Sequence, residues 1–241
     1  MSNHSRQWPN DCAVLIPSYR SADKLDSFLP ILLTSVPAES ILVVDDGSRD
    51  HTDEVCRRLG VSCTAHECNK GKGAALRLGF QELAMRDITW IATMDADGQH
   101  AVNDLPRFIS AARRYPDSGL IIGTRSRRLG TMPAMRILSN TMTSAALSLL
   151  TRSVVSDSQC GFRFYSKRLL SATTTTCDRF EMESEIILRA RFAGFPVRFV
   201  EVQTLYCTDQ SHISPGADTV RWIRAVVRTL ARIRAENRTR R

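Results

Sequence analysis

The sequence predicts an α/β protein with a mostly parallel, Rossmann-like central sheet flanked by helices, and three observations carry that reading. Short apolar runs alternate with stretches of helical spacing through the first 125 residues, the pattern of successive βαβ units. The apolar runs stop at polar or acidic residues, as strands do when they deliver side chains to one edge of an open sheet. One stop, Asp95-Ala96-Asp97-Gly98, sets two carboxylates either side of a single residue. Side chains two apart on an extended chain share a face.

Residues 12–16 are apolar and read as the first strand, with Pro17-Ser18-Tyr19-Arg20 as the turn that follows and Pro17 fixing it. Tyr19 then either stacks on a flat ligand or fills the edge of the core. Leu25, Phe28, Leu29, Leu32 and Leu33 recur at helical spacing, which predicts a helix over 22–34. A second strand over 40–44 ends at Asp45-Asp46-Gly47-Ser48, and Asp50 is placed to cap a helix reaching about Leu59. Residues 61–65 read as a short third strand. Asn69-Lys70-Gly71-Lys72-Gly73 then opens a helix whose apolar face includes Leu76, Phe80 and Leu83. Such a turn is either a phosphate cradle or two lysines on a solvated turn, and it lacks the P-loop spacing. The strand over 90–94 leads to Asp95 and Asp97, where Gly98 lets the chain turn away. A helix over 102–115 and a strand over 119–123, ending at Thr124-Arg125, complete the alternation.

The second half changes character. Residues 134–151 read as a helix. Residues 157–161 form a polar turn feeding an aromatic strand through Phe162, Phe164 and Tyr165. Glu181, Glu183 and Glu185 open a helix to about residue 193, where acids suit the positive end of the dipole. Residues 195–205 are strand-like, and a loop over 211–216 precedes the last helix. No internal repeat, low-complexity tract or linker divides the chain. The expected division is a disordered tail over 1–11, one domain over 12–217, and a basic amphipathic helix and tail over 218–241.

Charge narrows the function classes. The formal net charge is +8 over 241 residues, yet residues 218–241 hold eight arginines against Asp218 and Glu236. The body is therefore close to neutral, and a nucleic-acid-binding role for the basic tail is weighed and not expected. Val220, Ile223, Val227 and Leu230 share a helical face in that tail, flanked by Trp222, Val226 and Ile233. The stripe either packs on the sheet, with the arginines solvated, or faces an anionic membrane, and the chain beyond Ile233 is expected to be mobile. The seven cysteines are odd in number and include no Cys-x-x-Cys, which argues against a disulfide framework or zinc site and for a reducing compartment. Residues 1–11 lack the apolar stretch of a secretory signal, and no run approaches the ~20 apolar residues of a membrane span. The expected location is the cytoplasm, with peripheral contact at the cytoplasmic face of a membrane or with a membrane protein.

Two converging carboxylates suit a hard divalent cation such as Mg2+ or Mn2+. Alone, the pair equally describes a solvated acidic turn. In order and spacing, however, Ile16-Pro17-Ser18-Tyr19, Val43-Val44-Asp45-Asp46-Gly47-Ser48, Asn69-Lys70-Gly71-Lys72-Gly73, Met94-Asp95-Ala96-Asp97-Gly98-Gln99 and Gly161-Phe162-Arg163 resemble the inverting family 2 glycosyltransferases, and among them the soluble dolichyl-phosphate mannose synthase type. The resemblance runs from about residue 12 to 206. It implies a GT-A fold over 12–217, a GDP- or UDP-linked sugar donor and a Mg2+ or Mn2+ cofactor. It implies that Pro17, Tyr19, Asp46 and Asp95 surround the nucleoside, with Lys70 and Ala96 joining the donor site, and that Asp97 and Gln99 meet the metal. The expected catalytic set is Asp97, Arg125, Arg163 and Glu183. Arg136, Asp157 and His212 are the expected acceptor contacts.

The expected acceptor is a polyprenyl phosphate, which arrives anionic and needs cations more than a base. The alternative is a sugar hydroxyl of a cell-envelope glycan or glycolipid, with Glu183 or Glu185 as general base. Two departures leave finer points open. Arg20 and Ser21 follow Tyr19 where the family often has Asn and an acid, and Ser211-His212-Ile213-Ser214-Pro215 replaces a later Arg-x-x-Gly-x-Ser-Lys loop. A haloacid-dehalogenase-type phosphotransferase also uses Asp-x-Asp, but after its first strand and with Thr or Val where Gln99 stands here. A nucleotidyltransferase would need a Gly-rich, Arg-bearing turn after the first strand, and none is present.

Overall fold

The computed structural model describes residues 8–126, 134–203 and 215–239, side chains at 134, 136, 215–218 and 239 excepted. Seven strands, β1 (Cys12–Ser18), β2 (Ile41–Asp45), β3 (Ser62–Ala65), β4 (Trp90–Thr93), β5 (Leu120–Arg125), β6 (Arg163–Ser166) and β7 (Val197–Val202), lie in the order β3-β2-β1-β4-β6-β5-β7. Only β6 runs against its neighbours; the other pairings are parallel, as expected. The helices are α1 (Ala22–Leu33), α2 (Thr52–Arg58), α3 (Lys72–Ala84), α4 (Leu105–Arg114), α5 (Ala134–Thr151), α6 (Lys167–Ala172), α7 (Met182–Phe192) and α8 (Pro215–Thr239).

β2 and β4 are buried at every position, which is why they read as unbroken apolar runs and not as alternating ones. Leu15, Ile16, Val43, Val44 and Ile91 join Phe108, Phe162 and Phe164 in one core. The topology brings the C-terminal ends of β1, β2 and β4 and the start of antiparallel β6 to a single edge. That edge collects the segments 19–21, 46–51, 66–72, 94–101 and 157–162.

Several expectations need correcting. The turn expected at Pro17 is two residues of strand, because β2 keeps pairing through Pro17↔Val44 and Ser18↔Asp45. Pairing with β4 ends at Leu15↔Thr93, so the missing Pro17 N–H, which would point to that side, breaks no ladder bond. The α2 helix begins at Thr52 with His51 at the cap position, yet Asp50 Oδ1 still accepts from the Thr52 N–H at 3.1 Å and hydroxyl at 2.6 Å. The short α6 helix was not expected; Ser166 caps it, its Oγ accepting from Leu169 N–H at 3.2 Å. β7 ends at Val202, and residues 204–205 lie outside the described residues.

Trp8, in the stretch assigned to a tail, is buried, and its ring N–H donates to Cys12 O at 2.9 Å. At the other end, α8 packs on α7. Its buried face is Ala225, Val226, Thr229 and Ile233, and Trp222 Nε1–H donates to Ser184 Oγ at 2.9 Å. Val220, Ile223 and Val227, expected on one face with Leu230, stay exposed, Val227 at 61%. The helix continues past Ile233 to Thr239. No helix among the described residues is long and apolar enough to cross a membrane.

Candidate active site

The β4 strand delivers the acidic pair to the open edge, and the two carboxylates then part company. Asp95 turns inward. Its Oδ1 lies 2.6 Å from Lys72 Nζ and its Oδ2 3.4 Å from His100 Nε2. Burial pushes the Asp95 carboxyl up, but the Lys72 ammonium and His100 outweigh it and hold it well below the usual carboxylate range. His100 is fixed from its other side by the Phe162 ring, 5.2 Å between centroids. Gly161 closes the pocket: a Cβ there would sit 2.5 Å from Asp95 Oδ2, so only glycine admits this approach.

Asp97 is half-buried, and its hydrogen bond is local, Oδ1 accepting from Gln99 N–H at 3.0 Å. No ion pair among the described residues claims it. No group of three His, Cys, Asp or Glu side chains among them forms a ready metal cage. Mg2+ and its relatives are commonly held by one or two carboxylates, water and substrate phosphates. A half-buried carboxylate outside any ion pair among the described residues fits such a cation, and Asp97 is the residue that would hold it. Ala96 between the two acids is buried.

Lys72 opens α3 and ties the two halves of the chain together. Besides Asp95, its Nζ lies 2.7 Å from Glu183 Oε1 at the start of α7. Burial alone would lower the Lys72 pKa, but Asp95 and Glu183 raise it above the ordinary lysine value. Glu183 Oε2 lies 3.6 Å from Arg163 Nη2. Arg163, expected near phosphate or acceptor, is fully enclosed at 0% exposure. It donates to the Cys160, Glu183 and Ser158 carbonyls at 2.7, 2.7 and 2.8 Å, locking the 157–162 turn onto α7. Glu185 is likewise committed: it accepts from Thr176 and Cys177 N–H at 2.8 Å each and from Arg189 Nε at 2.9 Å.

Arg125, at the end of β5, is aimed by a buried partner. Asp157 takes a two-pronged contact from it, Nε–Oδ2 2.9 Å and Nη2–Oδ1 3.0 Å, and a third bond from Asn140 Nδ2 of α5 at 2.8 Å. Asp157, expected as an acceptor contact, is instead 0% exposed and serves as the anchor of Arg125. Burial raises the Asp157 carboxyl, and the Arg125 guanidinium more than reverses this, leaving it below its ordinary value.

At the β1–β2 end, Tyr19 is 40% exposed at a cleft of about 540 Å³, with Arg20, Arg49 and Asn69 on the same wall. Asp46 does not face this opening freely. It is 2% exposed, and His66 Nδ1 at 2.7 Å, Lys70 N–H at 3.0 Å and Gly71 N–H at 2.7 Å occupy its oxygens. Those bonds shape the 66–71 turn, where Gly71 has φ 103°; the exposed Lys70 contributes its backbone. Pro17 is half-buried, and Gln99 is half-buried beside Asp97. The Arg136 side chain, His212 and Cys207 lie outside the described residues.

Lys72 and His100, like His66 and Asn140, are groups at this site that no expected contact set contained. Lys72 had a local signal in the Gly-rich turn; the pairing that gives it its place spans 111 residues.

The family described as Glycosyl transferase family 2 matches residues 13–173. An undecaprenyl-phosphate mannosyltransferase of Micrococcus luteus is 33% identical over 200 residues, 78% of this chain and 80% of that protein. A UDP-N-acetylglucosamine–dolichyl-phosphate N-acetylglucosaminyltransferase of Methanococcus voltae is 27% identical over 219 residues, 80% of this chain and 85% of that one. Among solved structures, glucosyl-3-phosphoglycerate synthase of Mycobacterium tuberculosis, in complex with Mn2+, UDP and phosphoglyceric acid, overlays with a TM-score of 0.68 at 18% identity. The overlay covers 92% of this chain and 78% of that one, and it bears on the fold.

Proposed function

Because the chain belongs to the family 2 glycosyltransferases, we propose that it moves a sugar from a nucleotide-diphospho-sugar to a polyprenyl phosphate, with inversion at the anomeric carbon. The similar proteins whose names specify dolichyl or undecaprenyl phosphate support the acceptor class. The observation that carries it is the state of the acids. Among the described residues of this edge, Glu183 is engaged by Lys72 and faces Arg163, and Glu185 is filled by backbone and arginine donors. A hydroxyl acceptor must lose a proton to a nearby base. A phosphate acceptor arrives as the anion and needs none.

In this reading a phosphate oxygen attacks the anomeric carbon as the bond to the donor diphosphate breaks. One displacement inverts that centre and releases the nucleoside diphosphate. Arg125, aimed by Asp157, meets the phosphate charge. Asp97 would hold a divalent cation, which would supply electrostatic stabilisation of the leaving diphosphate. Asp95, Lys72 and His100 keep the 94–101 segment in place, and Arg163 fixes the turn that carries Gly161. Tyr19 and the 46–51 turn line the nucleoside end. With the exposed face of α8, the chain makes peripheral contact with an anionic membrane where its acceptor resides.

Replacing Glu183 by Gln tests the acceptor class. With saturating donor, transfer to polyprenyl phosphate is expected to fall by at most about tenfold, whereas loss of a general base costs ~10²–10⁴-fold. A drop of that larger size, with folding and donor affinity intact, moves the assignment to a hydroxyl acceptor.

A further inference from the structure

The sheet has a second opening, at the end away from the acidic pair. A row of register partners lines it: Cys12 of β1, Trp90 of β4 and Ser166 of β6. Trp90 begins β4, and Asp95 lies just past its other end, roughly 16 Å along an extended chain. The opening has a volume of about 910 Å³, within the usual span of small-molecule sites. Cys12, Ile88, Trp90 and Ala112 are buried there, and Ile109 and Phe195 pack against the same core. A concave, mainly apolar wall with a few polar groups is the ordinary character of a ligand site.

The free charges around this floor have one sign. Arg113 of α4 and Lys167 and Arg168 of α6 line the opening. None of the three forms an ion pair among the described residues. Arg168 Cζ lies 5.9 Å from the centroid of the Phe195 ring. Lys167 Nζ donates to the Arg86 carbonyl at 2.8 Å, which leaves an ammonium two further donors. Asp11, the one acid of the lining, accepts from the Thr89 hydroxyl. Burial, with Asp11 beside it, pushes the Cys12 thiol up to about 12, against the pull of Arg113. The floor therefore carries a neutral thiol and no nucleophile.

Two kinds of occupant fit poorly. An extended peptide docks by pairing with a free strand edge, and β1, β4 and β6 are all interior strands. A lipid seated in a bilayer offers its head and keeps its chain, which leaves the apolar floor wet. We propose that this opening is a second ligand site, separate from the sugar-transfer edge, for a free single-chain amphipathic anion. A head of anionic oxygens meets Arg113, Lys167 and Arg168, and a hydrocarbon body lies on Trp90, Ile88 and Phe195.

Titration calorimetry of the full chain with decanoate tests this, with decanol and acetate as comparators that lack the charge or the chain. Decanoate is expected to bind at a single site, at least about tenfold tighter than either comparator. Arg113→Glu and Arg168→Glu are each expected to weaken decanoate by about tenfold, through lost attraction and added repulsion. Both side chains are exposed, so unfolding temperatures are expected to stay equal. Arg114→Glu makes the same charge change on α4 outside the opening and is expected to keep decanoate affinity within about threefold. Decanol or acetate binding as tightly as decanoate overturns the proposal, as does decanoate affinity unchanged in both rim variants or lost equally in Arg114→Glu. Displacement of decanoate by phosphatidylglycerol vesicles overturns the assignment to a free amphiphile. None of these readouts uses sugar transfer, so the site stands or falls apart from that reading.

Discussion

Asp95 and Asp97 are two residues apart in the chain and do different work. Asp95 is held by Lys72 and His100, while Asp97 is in no ion pair among the described residues and accepts only from Gln99 N–H. Replacing Asp97 by Ala is expected to abolish transfer at all Mn2+ concentrations. Being outside the core, it should change unfolding free energy by no more than about 0.5 kcal/mol in urea titration. Acid acts on other residues. The Asp157 and Glu185 carboxyls sit below their ordinary values of 3.8 and 4.5, because Arg125 and the Thr176 and Cys177 amides outweigh the cost of burial. A depressed folded-state pKa gives stability that is whole above the ordinary value and is lost as pH falls through the folded one. Unfolding free energy is therefore expected to fall progressively below about pH 4, and an Asp157→Asn protein should show a shallower fall. The acidic pair was legible because its signal is local. The commitments of Asp46 and Glu183 were not, since their partners lie 20 to 25 and 111 residues away.

At the scale of elements, buried strands and amphipathic helices announce themselves by periodicity, and α1, α3 and α5 fall where the spacing puts them. The last helix shows where periodicity runs short. Its apolar residues cover more than one face, and only packing on α7 chooses which one is buried. Val220, Ile223 and Val227 remain outside beside Arg224 and Arg228, the composition of an interfacial helix. The α5 helix also shows Met135, Leu138, Met142 and Leu149 to solvent. Cosedimentation with anionic vesicles is expected to exceed that with neutral ones and to weaken as salt rises. Replacing Ile223 and Val227 by Glu should reduce it. Equal binding to both vesicle types would contradict the electrostatic part of this contact.

The whole molecule works by convergence. Parallel β1, β2 and β4 end at one edge, and the reversed β6 begins there, so segments far apart in the chain converge on one edge of the sheet. The strand–helix alternation made that edge legible in advance. The reversal of β6 has no local mark, and it is what brings Gly161 against Asp95 and Arg163 beneath Glu183. Sugar transfer to a lipid phosphate is the central claim. Its most direct test is to incubate the full chain with Mn2+, a labelled GDP- or UDP-linked hexose and polyprenyl monophosphate, with unphosphorylated polyprenol and soluble glycans as parallel acceptors. The label is expected in an acid-labile polyprenyl phosphosugar, formed only from the phosphate and absent with Asp97→Ala. Label transferred to a polyprenol or glycan hydroxyl, with none on the phosphate, would contradict the account.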